Sequence, residues 1–134
     1  MSQENVEIVR RAYEAFARRD DAGAFDLYAA DIEWDLSRAG AYGIGGVYHG
    51  HDGVRQSFRE LLAAFSVIDF AVEGIIEAGD HVVATIHERY LGRKSAVDVD
   101  RRHYAVWTLR DGKITRMCAY LERAEALEAA GLPP

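Results

Sequence analysis

The stretch Val97-Asp-Val-Asp-Arg-Arg-His-Tyr-Ala-Val-Trp-Thr-Leu-Arg-Asp-Gly-Lys-Ile-Thr-Arg-Met-Cys-Ala-Tyr-Leu121 decides the fold. Val97–Arg110 reads as one long strand and Lys113–Leu121 as a second. Between them Asp111-Gly112 is a two-residue hairpin signal, because a type I′ turn needs positive φ at both central positions. Two readings of the second strand stay open. Regular pairing sets Tyr120 opposite His103. A bulge after Ile114 instead turns Met117, Ala119 and Leu121 to that face.

Upstream of the hairpin the pattern remains period two. Val67–Glu77 alternates Ile68, Phe70 and Val72 with Asp69, Ala71 and Glu73, and Gly79-Asp80 makes a turn. His81–Leu91 is a further strand rich in Val, Ile, Thr and Tyr, and Gly92–Ser95 turns again. Downstream, Glu122–Ala130 is a short helix ended by Gly131 and blocked by Pro133-Pro134.

The first half is different. Residues 3–18 form an amphipathic helix on Val6, Val9, Tyr13 and Phe16. Asp20-Asp21 caps a second helix at about Ala22–Ala30, and Ile32, Trp34 and Leu36 mark a short strand. Five glycines between 38 and 50 make a loop, and a third helix spans about His51–Phe65 with Asp52 as its cap. Helices first and strands later give an α+β domain rather than an α/β one.

The 134 residues fit one domain, expected to span 1–134. With 49% hydrophobic and 28% charged residues the composition is globular, so no disulfide or metal is needed to fold. A net charge of −6 without a basic stripe argues against nucleic acid and anionic membrane as partners. Cys118 is alone, no apolar run reaches membrane length, and Met-Ser-Gln-Glu-Asn lacks signal-peptide features, so a reducing cytoplasm is expected. The pattern G-x-G-x-x-G fails in the glycine loop beginning at Gly43, where Tyr48 stands at the third glycine. His49, His51 and Asp52 make only a partial metal shell, and neither a metal nor a cofactor is expected.

The order ααβαββββ resembles the nuclear-transport-factor-2-like (NTF2-like) superfamily. The run from Tyr104 to Leu132, the segment Tyr13–Asp20 and the segment Tyr48–Arg55 are similar to its SnoaL-like, polyketide-cyclase-like branch. The resemblance implies a cone-shaped fold, with three N-terminal helices packed on a curved, mostly antiparallel sheet around an apolar pocket. It implies that Trp34, Leu36, His103, Ala105, Trp107 and Leu109 point inward. It also turns Thr85, His87 and Arg89 inward, makes a wall of Tyr13 and Phe16, and hangs Tyr48 from the glycine loop. On the last strand it favours the bulge, with Met117 inward. The outer sheet face is expected to be partly exposed, apolar and self-associating, giving a homodimer.

Family chemistries were compared residue by residue. The ketosteroid-isomerase-like pattern would need carboxylates where Leu36 and Ala105 stand. The epoxide-hydrolase pattern meets His87, Arg89 and Ala119, without its closing aspartate. The dehydratase pattern, two histidines on neighbouring strands, is met by His87 and His103, with Tyr13 or Tyr48 as donor. Arg89 either pairs across the sheet or awaits a ligand oxygen. Three functions follow: a small-molecule-binding protein or SnoaL-like enzyme for a cyclic carbonyl compound, a lyase or isomerase using His103 with His87, or an interaction module using the outer sheet face. A pocket of roughly 300 Å³ or more would favour the first two.

Overall fold

The computed structural model describes residues 2–40, 45–94 and 96–134. Gly43, at the start of the motif considered above, lies outside them. The elements are α1 (Ser2–Ala17), α2 (Asp21–Phe25), β1 (Tyr28–Asp35), β2 (Val47–His49), α3 (Gly50–Ala64), β3 (Phe65–Ala78), β4 (His81–Gly92), β5 (Asp98–Arg110), β6 (Lys113–Tyr120) and α4 (Arg123–Ala129). The strands form one six-stranded sheet in the order β2-β1-β6-β5-β4-β3, antiparallel except where β1 meets β6. The fold is α+β, as expected.

The second helix stops earlier than its pattern suggests. Asp20 caps it through Gly23 N–H at 2.9 Å, but the Leu27 carbonyl accepts the Ile114 N–H at 2.8 Å. The edge of β6 thus draws the chain into β1, and pairing overrides helix propensity. β2, inside the segment read as loop, pairs Val47–His49 with Glu33–Asp35. Asp52 is not the cap of α3: His49 holds that position, and Asp52 pairs with Arg55 at 2.9 Å in the first turn.

Asp111 and Gly112 have φ of 51° and 77°, as a type I′ turn requires. Thr108 faces Arg116 and Leu109 faces Ile114, so Thr115 is the extra residue of a bulge. Beyond it Met117 opposes Trp107 and Ala119 opposes Ala105 on the concave face. Leu121, expected beside them, lies past the end of β6 and is exposed.

The concave face packs on α1 and α3 around fully buried Val9, Ile32, Val54, Val82, Ile86 and Ile114. Each such side chain contributes about 1.5–3 kcal/mol. On the convex face α4 covers Val83, Val106, Cys118 and Tyr120 with Ala126, Leu127 and Ala130. The rest of that face is not the apolar surface expected. It carries paired charges: Arg102 with Glu73, His87 with Asp100, Arg89 with Asp98, and Arg116 with Glu33 and Asp35. Among the described residues no helix is long and apolar enough to cross a membrane.

Inserting one alanine between Arg116 and Met117 should slip Met117 and Ala119 to the wrong face, because the bulge has already taken up the one extra residue. Thr115→Ala loses only the hydroxyl's bond to the Thr108 carbonyl. Urea denaturation is expected to show a loss of about 1 kcal/mol or less for the substitution and several times that for the insertion.

Candidate functional site

β4 and β5 pair so that Ile86 opposes His103 and Glu88 opposes Arg101. The concave set on β4 is therefore Val82, Ala84, Ile86, Glu88 and Tyr90. Thr85, His87 and Arg89 occupy the convex face, a correction to the inward placement expected of them. His87 pairs there with Asp100 at 2.5 Å, and Arg89 reaches Asp98 at 3.5 Å with half its side chain in solvent. The inward arginine needs no ligand to satisfy it, because it is not inward.

A small cavity lies between the concave sheet and the helices. Tyr13, Phe16, Trp34, His103, Trp107 and Met117 line it, as do Glu88, Tyr90 and Arg101. Tyr48 does not: its hydroxyl donates to Glu60 Oε1 at 2.5 Å along α3. Burial, with the Glu60 carboxylate that accepts its proton, pushes the Tyr48 phenol up to about 12. The cavity measures about 100 Å³, well below the size anticipated. Aromatic rings form much of its wall. Trp34 meets Trp107 edge-on at 5.7 Å, and Phe16 lies against Phe58 at 5.4 Å and Phe70 at 4.9 Å.

One wall is polar and organised by Glu88, which is 2% exposed. Oε1 accepts from His103 Nδ1 at 2.6 Å and from the Tyr90 hydroxyl at 2.7 Å. Oε2 accepts from Arg101 Nε at 2.5 Å. Arg101 continues to the Ala39 carbonyl at 2.6 Å, tying the wall to the loop after β1. Burial alone would raise the Glu88 carboxyl; the hydrogen bond and charge of His103, with the bonds from Arg101 and Tyr90, outweigh it and hold the group below the usual carboxylate range. An ionised carboxylate only accepts, so His103 presents an Nδ1 proton to it. Phe70 meets the His103 ring edge-on at 6.0 Å.

Across the cavity the Tyr13 hydroxyl accepts from Trp107 Nε1 at 3.1 Å. Among the described residues no side chain or carbonyl accepts its own proton. Burial drives the Tyr13 phenol far above its usual range, helped by the neighbouring Tyr28 and Glu88, so it keeps that proton. Among the described residues no three His, Cys, Asp or Glu side chains gather as metal ligands.

Glu88, Tyr90 and Arg101 escaped the sequence reading. A signal for Glu88 was present: it is the lone carboxylate in an alternating set that is otherwise Val, Ala, Ile and Tyr.

The linkage sign follows from Glu88. Its folded carboxyl lies below the ordinary value, so its stabilisation is present above the ordinary carboxylate range and lost as pH falls through the folded value. Glu88→Gln leaves Arg101 and His103 without their counter-charge, a loss of about 3 kcal/mol near neutral pH. Urea titrations from pH 7 to pH 3 should show the difference between wild type and variant narrowing in acid. A constant difference would contradict an ionised Glu88.

The fold has known relatives. The SnoaL-like domain model matches residues 9–117. An uncharacterized Mycobacterium tuberculosis protein is 27% identical over 126 residues, 93% of this chain and 94% of its own. Among solved structures, an NTF2-like protein of unknown function from Burkholderia pseudomallei is 28% identical, with TM-score 0.77 over 93% of this chain and 95% of that one. TerC, co-crystallised with polyporic acid, is 27% identical, with TM-score 0.78 over 96% and 98% of the two chains. With its helices, its curved sheet and the greater part of its length matched, this chain belongs to the SnoaL-like domain family.

Proposed function

We infer that the cavity binds a small, mainly apolar carbonyl compound and that His103 moves a proton on it. The observation that carries this is the Nδ1–Oε1 contact of 2.6 Å between His103 and the buried Glu88 at the cavity wall. In its neutral form a histidine held at Nδ1 keeps its lone pair on Nε2, the arrangement of a general base. The carboxylate then stabilises the imidazolium formed when Nε2 takes a proton. Tyr13, which keeps its proton, suits the carbonyl oxygen on which negative charge develops. Proton removal beside a carbonyl, with return at a neighbouring atom, is the step shared by isomerisation, dehydration and ring closure. Glu88 replaces His87 as the partner of His103 in this reading.

Size limits the ligand. A dry apolar cavity of about 150 Å³ accepts benzene. A cavity of about 100 Å³ holds a single small ring at most unless its aromatic walls shift. That TerC, which shares this fold, was co-crystallised with polyporic acid supports a ligand role for the fold.

Cyclic aromatic and terpenoid ketones should be screened by thermal shift. A ligand at a hundred times its Kd adds about 2.7 kcal/mol. Bound ketones would then be incubated in D2O and followed by proton NMR. Wild type is expected to exchange the hydrogens beside the carbonyl, His103→Ala to lose at least roughly a hundredfold of that rate, and Tyr13→Phe to lose part of it. Equal exchange in His103→Ala and wild type would remove the acid–base role.

A further inference from the structure

Phe16 and Phe58 line the cavity, and both also floor a separate surface cleft between α2, α3 and β3. The cleft holds about 310 Å³, three times the cavity. Their two rings, 5.4 Å apart and inclined by 29°, are the partition between the two spaces. The rim of the cleft is cationic. Arg19, Arg55 and Arg59 line it, against one acid, Asp21.

That concentration of positive charge stands on a chain of net charge −6. Arg55 is fixed, with its guanidinium 4.7 Å above the Phe25 ring and a 2.9 Å bond to Asp52. Among the described residues Arg19 and Arg59 make no ion pair within 4 Å, and the Arg59 charge acts on Glu60 only at longer range. Glu60, beside Arg59 in sequence, is committed to Tyr48 and Gln56. An apolar floor with uncommitted guanidinium groups above it fits an amphiphile that ends in a carboxylate.

We propose that this cleft is the anion-binding end of an extended ligand site, joined to the cavity when Phe16 and Phe58 part, and that the ligand is an apolar ring compound bearing a terminal carboxylate. The proposal rests on the reading of the cavity as a ligand site and adds a substrate class to it. Joined, the two spaces reach the size usual for a small-molecule site, which either alone barely meets or misses. The ring enters the cavity and the carboxylate stays at the arginines, in solvent where its hydration is largely kept.

Phenylbutanoate and its neutral amide, titrated calorimetrically, separate the outcomes. Wild type should bind the carboxylate more tightly than the amide, with the difference shrinking as salt rises from roughly 0.05 M to 0.5 M. The double variant Arg19→Gln/Arg59→Gln, altered only at exposed positions, should weaken the carboxylate roughly tenfold and the amide less than twofold. The cavity-filling variant Ala119→Val should weaken both probes, and NMR shift changes at Met117 and His103 of wild type on adding probe give the same information should the variant misfold. Failure of wild type to prefer the carboxylate overturns the proposal. So does unchanged carboxylate affinity in the arginine variant; if Ala119→Val still weakens both probes, the cavity reading survives that failure. Unchanged binding of both probes in Ala119→Val, without shifts at Met117 and His103, overturns the cavity reading and the joined site together.

Discussion

The buried carboxylate of Glu88 constrains everything around it. Placing an ion where 2% of its residue reaches solvent costs several kcal/mol unless donors surround it. Three side chains supply them, from two neighbouring strands: Tyr90 on β4, and Arg101 and His103 on β5. Their positions follow from register alone, because Glu88 opposes Arg101 and Ile86 opposes His103. A slip of one residue would bring Arg89 or His87 to the concave face and leave the carboxylate without these partners. The same contacts that hold the ion therefore hold the pairing of β4 with β5.

The bulge on β6 completes the enclosure. Were Thr115 paired in line with Thr108, Arg116 would stand opposite Trp107 and Cys118 opposite Ala105. With the bulge, Met117 and Ala119 face inward. Small residues at Ala84, Ala105 and Ala119 leave the space that the aromatic residues of α1, β1 and α3 only partly fill. The cavity is thus a product of size alternation across the sheet. Its polar wall lies where β4 and β5 run beyond the helices' aliphatic core.

Much of this architecture is legible in the residues. The period-two runs and Asp111-Gly112 specify the closing strands, and the inward face of β5 follows from the spacing of His103, Ala105, Trp107 and Leu109. The face of β4 is different, because the resemblance implies that its odd set, Thr85, His87 and Arg89, points inward, while pairing with β5 turns its even set there. Local pattern does not carry register from β4 to β5. Counting apolar residues would have favoured Val82, Ala84, Ile86 and Tyr90. Tyr48 was misplaced for another reason: the short strand β2 is set by pairing with β1, a long-range contact absent from local pattern. The cut-off of α2 at Phe25 has the same origin, since only the edge of β6 explains why the chain leaves the helix there.

His87 and His103 show how little a contact means apart from its surroundings. Each ring nitrogen meets a carboxylate at hydrogen-bond distance. The His87 side chain is 41% exposed and its Asp100 partner 58%, so water and salt screen the pair, which is worth at most about 1 kcal/mol. The His103 side chain is 12% exposed and that of Glu88 2%. There the carboxylate cannot turn to solvent, its other acceptor sites are taken by Tyr90 and Arg101, and the imidazole is held in one orientation beside the cavity. Proton transfer requires that fixity, because a base must meet its substrate at a defined distance and angle. The sheet supplies two histidine–carboxylate pairs, and of the two only the one on its concave side borders the cavity.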